Sequence, residues 1–151
     1  MTGKPEQTPE QMTARRLAAI IDSSKDAIIA NSIEGIITDW NPAAEKKYGY
    51  AAEEVLGKSI SIIAPKGRQS DVLTNMRRML IGDVPDILEV VRQRKDGALF
   101  NTSMSFSVLK DEHGEAFGIS AIHRDVTEQK LAEATLRERE AQLRLVTDNI
   151  P

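Results

Sequence analysis

The chain of 151 residues is long enough for one compact domain with some helix beyond it. Its net charge of −3 excludes the basic surface by which proteins hold nucleic acid, and the lack of cysteine excludes disulfides, thiolate catalysis and cysteine-based metal sites. The sequence has no apolar run long enough to cross a membrane and no apolar core of a secretion signal, so we expect a cytoplasmic protein without a direct membrane span.

The first part of the chain predicts a helix followed by a hairpin. Residues 1–9, which are polar and contain two prolines, predict a disordered lead-in. Residues 10–24 carry an apolar stripe at helical spacing and predict an amphipathic helix. The β-rich runs AIIANS and GIITDW then predict two strands of a hairpin, with Gly35 in the tight turn between them.

A series of short helices is predicted next. Asn41 followed by Pro42 is typical of a helix start, because asparagine accepts from free amides and proline at the first helical position gives up a donor that has no partner. Gly49 and Gly57 predict the ends of two short helices. Apolar side chains at helical spacing predict a further helix over residues 68–80.

The second half of the chain predicts three strands and a terminal helix. The turns KDG and DEHG separate three extended runs, and the middle run alternates between two faces. The residues expected on its buried face are Phe100, Thr102, Met104, Phe106 and Val108. Residues 127–151 return to helical spacing. This order predicts an α+β fold, a five-stranded antiparallel sheet with short helices over one face, flanked by N-terminal and C-terminal helices.

Three segments of the chain resemble, in this order, the PAS domain, a sensor module of bacterial signalling proteins. They are DSSKDAIIANSIEGIITDWNPAAEKKYGYAAEEVLGKSI, RQRKDGALFNTSMSFS and GISAIHRDVTEQK, within residues 17–131. Asp125-Val126-Thr127 is similar to the signature at which the family's sheet hands over to an exit helix. The resemblance implies a PAS domain over residues 25–126, with a pocket between sheet and short helices. The candidates for the pocket lining are Trp40, Asn41, Leu88, Thr102, Met104, Phe106 and His123.

Several of these candidates have two interpretations. His123 lies two positions before Asp125, which resembles the position from which flavin-binding members contact their cofactor. It is either a ligand contact or pH-sensitive group, or a half-buried strand histidine bonded to a backbone carbonyl. Trp40 either packs on a flat cofactor or belongs to the core. Met104 and Phe106 are core residues if side chains fill the chamber.

The junction between the last strand and the exit helix carries the candidates for signal coupling, which are Arg124, Asp125 and Thr127. Arg124 and Asp125 are expected to act as a charged pair that latches the helix. The alternative is a surface ion pair worth about 0–1 kcal/mol. Asp125 is also expected to cap the exit helix by accepting from its first amides.

The cofactor classes of the family can be sorted by the residues that they require. Covalent flavin and cinnamate members use a cysteine, which this chain lacks. Haem members commonly hold iron with a histidine at the position where Gln69 stands, and no histidine occurs between Ala51 and Glu112. We therefore expect an empty interior or a small metabolite, with haem and covalent flavin disfavoured. A non-covalent flavin stays open because of Trp40 and Asn41.

The C-terminal segment, residues 127–151, predicts an exit helix that forms a coiled-coil linker. Leu136, Leu143 and Ile150 repeat every seven residues, and Arg139 interrupts the complementary series. This pattern predicts a marginal two-stranded coil and hence a homodimer, the alternative being an amphipathic helix packed on its own domain. The similarity of LRLVTD to the earlier LAAIID suggests that this segment is also the entrance to a second such domain.

The expected function is that of a regulatory sensor and dimerisation module in a bacterial signal-transduction protein. A pocket or partner event would act through the C-terminal helix on an output domain in the same chain, a histidine kinase or a diguanylate cyclase. The alternatives are a ligand-free structural dimerisation spacer and a non-covalent flavin redox sensor. The segment itself is not expected to be an enzyme, because no nucleophile–base set or metal cluster can be assembled from its residues.

Overall fold

The computed structural model describes residues 3–148 of the chain. Five strands and five α-helices are found in this range, together with one short 3-10 turn, Ile60–Ile63. The helices are α1 (Pro9–Ser23), α2 (Pro42–Tyr48), α3 (Ala52–Val55), α4 (Gln69–Leu80) and α5 (Thr127–Asp148). The strands are β1 (Ala27–Ser32), β2 (Ile37–Trp40), β3 (Leu88–Gln93), β4 (Leu99–Lys110) and β5 (Ala116–Asp125).

The strands form one antiparallel sheet in the order β2-β1-β5-β4-β3. After β2, at one edge, the chain crosses the sheet through α2, α3 and α4 and returns at the opposite edge as β3. These crossing elements cover one face and enclose the core between themselves and the sheet. The predicted α+β fold, with its five-stranded antiparallel sheet and flanking helices, is confirmed.

The alternation predicted for the middle strand is seen in β4. Phe100, Thr102 and Met104 are buried on the side of the helices, whereas Phe106 is half-buried. Packing of the helices is therefore tighter over the first part of β4 than over its end.

Local signals in the sequence explain where the first elements turn. Gly35 has a φ of 82° in the β1–β2 turn, a conformation in which a side chain would be strained. Asn41 accepts a hydrogen bond from the backbone of Ala44 and Pro42 opens α2, as predicted. Gly49 ends α2 in the left-handed conformation, with a φ of 79°.

The two flanking helices lie outside the core. Neither α1 nor α5 contributes a buried residue, and both expose apolar side chains. The exposed ones are Met12, Leu17, Ile20, Ile21, Leu131, Leu136, Leu143, Leu145 and Val146. Within residues 3–148 no helix combines the length and the apolar character needed to cross a membrane. Ile150, which completes the predicted seven-residue repeat, and residues 1–2 of the predicted lead-in lie outside the described residues.

Candidate functional site

A cavity of about 40 Å³ lies between the sheet and α4. Leu88, Met104, Phe106 and His123, four of the residues predicted to line a pocket, surround it. A buried water molecule needs roughly 10–15 Å³ of such space, so the cavity holds about three. Pockets that enclose a drug-sized ligand measure roughly 300–1,000 Å³. A flavin or a haem does not fit this cavity unless core side chains move away.

Trp40 lies outside the cavity, in an aromatic cluster under α2. Its indole Nε1 donates to the carbonyl of Tyr50 at 3.0 Å, and its ring centroid lies 5.4 Å from that of Tyr48. Tyr48 in turn contacts Phe100 edge-on, with centroids 5.3 Å apart. This packing fixes the end of β2 against α2 and leaves the Trp40 ring no open face toward the cavity lining.

Asn41 is a joint between three elements and also lies outside the cavity. Its Oδ1 accepts from the backbone N of Ile28 at 2.9 Å and of Ala44 at 3.0 Å. Its Nδ2 donates to the carbonyls of Ile21 and Asp26, both at 3.1 Å. All four bonds go to backbone, so the side chain is fully used in holding α1, β1 and α2 together.

Thr102 is buried in β4 beside the cavity without lining it. Its Oγ1 donates to the carbonyl of Arg124 at 3.1 Å, across the β4–β5 pair. The hydroxyl therefore satisfies a backbone acceptor next to the exit of the sheet.

His123 forms the inner wall of the cavity with a polar partner from α2. Its Nδ1 lies 2.8 Å from the hydroxyl of Tyr48, and only 1% of its surface is exposed. Burial lowers the pKa of His123 to about 3, with smaller contributions from the nearby charges of Arg92 and Lys47. Burial also raises the pKa of the Tyr48 hydroxyl. The imidazole is thus neutral and hydrogen-bonded to a side chain, whereas the sequence suggested a backbone carbonyl as its partner.

Arg92 is a cavity residue that the sequence analysis did not single out. It lies on β3 opposite Phe100 and is 6% exposed. Its Nε is buried with no hydrogen-bond partner among the described residues, and its Nη1 donates to the Val91 carbonyl at 3.3 Å. Burial lowers the pKa of Arg92. The sequence did contain a signal for Arg92. It follows Leu88 and Val90 at intervals of two residues, so all three lie on the inward face of β3 and Arg92 places a charge there.

The start of α5 is hydrogen-bonded to β4 and to the connection between β3 and β4. The Oδ2 atom of Asp125 accepts from Nη2 of Arg94 on the β3–β4 connection, and its Oδ1 accepts from the backbone N of Thr127, both at 2.9 Å. The Thr127 Oγ1 accepts from the backbone N of Asn101 at 3.0 Å. The backbone N of Val126 donates to the Asn101 carbonyl at 2.9 Å. The exit helix therefore begins at a point fixed by the β3–β4 connection and by the first part of β4.

The predicted pairing of Arg124 with Asp125 is replaced by two separate ion pairs. Asp125 pairs with Arg94, and Arg124 pairs with Asp26 at 3.1 Å. Neighbouring residues of a strand point to opposite faces, so the two side chains cannot meet. The expected cap is present, since Asp125 accepts from the Thr127 amide.

The Asp125 carboxylate is stabilised by its donors. Partial burial would raise the pKa of Asp125, but the hydrogen bonds from Thr127 and the Arg94 guanidinium outweigh burial and hold that pKa below its usual value. Arg94 also stacks over the Phe100 ring, 4.1 Å from its centroid, and donates to the Lys47 carbonyl. The sequence offered no signal for this partner, because Arg94 and Asp125 are 31 positions apart.

Comparison with known proteins gives relatives in bacterial signalling. The chain is 28% identical over 131 residues to the sensor protein FixL of Bradyrhizobium diazoefficiens, which covers 84% of this chain and 26% of that protein. It is 30% identical over 112 residues to the signal transduction histidine-protein kinase AtoS of Escherichia coli, covering 74% of this chain and 18% of the kinase. The chain therefore spans about a quarter or less of the length of these relatives.

A solved structure has the same fold, and a family model matches most of the chain. The crystal structure of the PAS domain of a protein from Colwellia psychrerythraea superposes with a TM-score of 0.70 at 23% identity, covering 77% of this chain and 98% of that one. The family model described as PAS domain matches residues 7–128. The chain belongs to the PAS domain family.

Proposed function

We propose that this PAS domain is a regulatory sensor module that acts on an output domain of the same polypeptide through α5. The observation that carries the proposal is the junction at Asp125, where one carboxylate joins Arg94 to the first amide of α5. A change inside the domain that displaces β3 or β4 would move this junction. A rigid helix would then carry the displacement outward.

The relatives support a signalling role and the presence of an output domain. FixL is named as a sensor protein and AtoS as a histidine-protein kinase, and most of each protein lies outside the region that matches this chain. We infer that a histidine kinase is the output domain, in preference to a diguanylate cyclase. The PAS domain would supply regulation, and the catalytic groups would belong to the output domain. The cytoplasmic location predicted from the sequence stays a prediction.

We further propose that the module works as a homodimer held by its flanking helices. The apolar residues of α1 and α5 are exposed in the single chain, including Leu17, Ile20, Leu136 and Leu143. Pairing of two chains along these helices would cover them and would place two copies of α5 side by side.

The proposal is tested by Asp125→Ala in the full-length protein that contains this chain. We expect the basal activity of the output domain to change about fivefold, because loss of a partly buried pair and a cap costs about 1 kcal/mol at the junction. The matched control is Glu54→Ala, which also removes a carboxylate that pairs with a cation, Lys95, and accepts from a helix-start amide, but lies away from the junction.

Unchanged activity and regulation in Asp125→Ala would remove the junction from signal transmission. That result would favour the alternative function, a ligand-free dimerisation spacer, for which the small volume of the cavity is the supporting observation.

A further inference from the structure

Arg92 places a buried positive charge in the cavity, and its guanidinium has no carboxylate in direct contact among the described residues. Among the described residues that line the cavity, it alone carries a formal charge, and it forms no ion pair within residues 3–148. A guanidinium stays protonated in proteins, and a buried cation without a counterion is strongly unfavourable. The Nε of this side chain is a buried donor that has no hydrogen-bond partner among the described residues.

His123 supplies a second donor on the same lining. The Tyr48 hydroxyl has no other hydrogen-bond partner in the part of the chain that is described, so its proton is best placed when it donates to His123 Nδ1. A neutral imidazole that accepts at Nδ1 carries its proton on Nε2. We assign this tautomer, which gives the cavity an uncharged N–H donor beside the guanidinium.

The remaining walls limit the kind of anion that can be bound. The fork of the Arg92 guanidinium matches the two oxygens of a carboxylate, and Ile29, Ile63 and Met76 form an apolar wall suited to a short alkyl tail. A dicarboxylate or a phosphate dianion would need a second cation, which the described lining does not provide. We propose that the cavity binds a short-chain monocarboxylate of about the size of acetate, with its carboxylate on Arg92 and its tail against these apolar side chains.

A route from solvent to this site runs between α4 and the start of β3. Asn75, Met79 and Leu88 line both the inner cavity and an outer depression of about 120 Å³. No hydrogen bond engages the Asn75 side chain within the described range, so its amide is available at the entrance. The thioether side chain of Met79 is flexible enough to move aside for a small ligand.

The same strand connects the site to the junction at α5. Arg92 lies opposite Phe100 in the β3–β4 ladder, and Arg94, two residues further on, stacks on that ring and pairs with Asp125. An anion that binds the Arg92 guanidinium and shifts it would thus displace residues 92–94, which hold the start of the exit helix through Arg94. This role as an input signal rests on the proposed function, whereas binding itself does not.

Binding is tested on the 151-residue chain by thermal unfolding at constant ionic strength with sodium acetate, propionate, succinate or chloride. We expect acetate or propionate to raise Tm saturably, by about 5–10 °C at a hundredfold excess over Kd. Arg92→Met should abolish this rise and should be at least as stable as the parent without carboxylate, because a buried unpaired charge is replaced by an apolar side chain of similar length. The matched control, Arg77→Met on the exposed side of α4, should keep the rise.

Further measurements cover the case in which Arg92→Met does not fold. Asn75→Ala at the entrance should weaken the response to acetate, and acetate should shift the ¹⁵N resonance of Arg92 Nε in the parent chain. Equal Tm rises in the parent, Arg92→Met and Arg77→Met, or no saturable rise and no Arg92 shift with either monocarboxylate, would overturn the proposal. A stronger response to succinate would overturn the assigned ligand class. Saturable binding without any change of output in the full-length protein would leave the site standing and contradict the proposed function instead.

Discussion

At the scale of single residues, the neutral His123 makes the stability of the domain depend on pH. The pKa of its side chain is about 3 in the folded chain, compared with 6.5 for an unperturbed histidine in the unfolded chain. Below pH 6.5 the unfolded chain takes up a proton that the folded chain does not bind. As the pH is lowered below 6.5, the free energy of unfolding therefore falls by about 1.4 kcal/mol per pH unit, until the pH approaches the pKa of His123 in the folded chain.

We expect His123→Gln to remove this contribution while keeping a polar partner for Tyr48. Urea unfolding of parent and variant at several pH values between 7 and 4 measures the difference in slope. His113→Gln is the control, because the His113 side chain is exposed in the turn before β5. Identical slopes for the parent and His123→Gln would show that folding does not lower the pKa of His123, and would contradict this account.

The residue-scale predictions from the sequence depended on whether a signal was local. Asn41 and Asp125 were expected to cap helices, and both caps are formed by amides two or three residues ahead. Arg124 was expected to pair with its neighbour, but its partner is Asp26, 98 positions away. The inward alternation of β3 was readable, yet nothing local shows that Arg92 has no counterion.

At the scale of elements, the hydrogen bonds of Asn41 hold α1 to the rest of the domain. Asn41→Asp keeps the two acceptor bonds, to Ile28 and Ala44, but replaces Nδ2, which donates to the carbonyls of Ile21 and Asp26, with one oxygen atom that faces both carbonyls. We expect it to lower the free energy of unfolding by about 2–3 kcal/mol, since two part-buried hydrogen bonds are lost and the new oxygen atom faces both carbonyls. Urea unfolding measures this loss.

Comparison with Asn41→Ala separates the role of Asn41 as a helix cap from its role in holding α1, because Asn41→Ala removes the acceptor as well as the donors. If the Asp variant were as stable as the parent and only the Ala variant were destabilised, Asn41 would act as a helix cap alone. The attachment of α1 would then depend on other contacts.

Elements bounded by glycine, proline or asparagine were predicted well, and an element without such residues at its ends was not. The hairpin at Gly35 and the helix between Pro42 and Gly49 follow from glycine, proline and asparagine chemistry. The 3-10 turn at Ile60–Ile63 was not predicted, because its apolar residues Ile60 and Ile63 are buried by tertiary packing against a short turn.

At the scale of the whole molecule, the exposed faces of α1 and α5 predict self-association. Neither helix has a buried residue in the single chain. We expect light scattering to give the mass of a dimer for the parent chain and that of a monomer for Leu143→Glu, because a buried charge would oppose pairing of α5. Ile81→Glu, at an exposed apolar position beyond α4, is the control and should stay dimeric. A monomeric parent would contradict the homodimer.

The fold class was readable from the sequence, whereas the strand order could not be derived from it by local reasoning. β1 lies between β2 and β5, so its neighbour on one side follows it directly in the chain, whereas its neighbour on the other side is the last strand of the chain. The cavity volume could not be predicted at all, since it depends on how side chains from five strands or helices and the 3-10 turn, six elements in total, pack together.

We propose that the sheet fixes the start of α5 through Arg94 and Asp125. Amide hydrogen exchange of residues 127–131 tests it most directly, by comparing the parent chain with Arg94→Met and with Lys95→Met, which removes the neighbouring exposed pair with Glu54. We expect Arg94→Met to speed exchange there about tenfold, as loss of roughly 1.4 kcal/mol implies, and Lys95→Met to leave it unchanged. Equal exchange in these residues for both variants and the parent would contradict the claim.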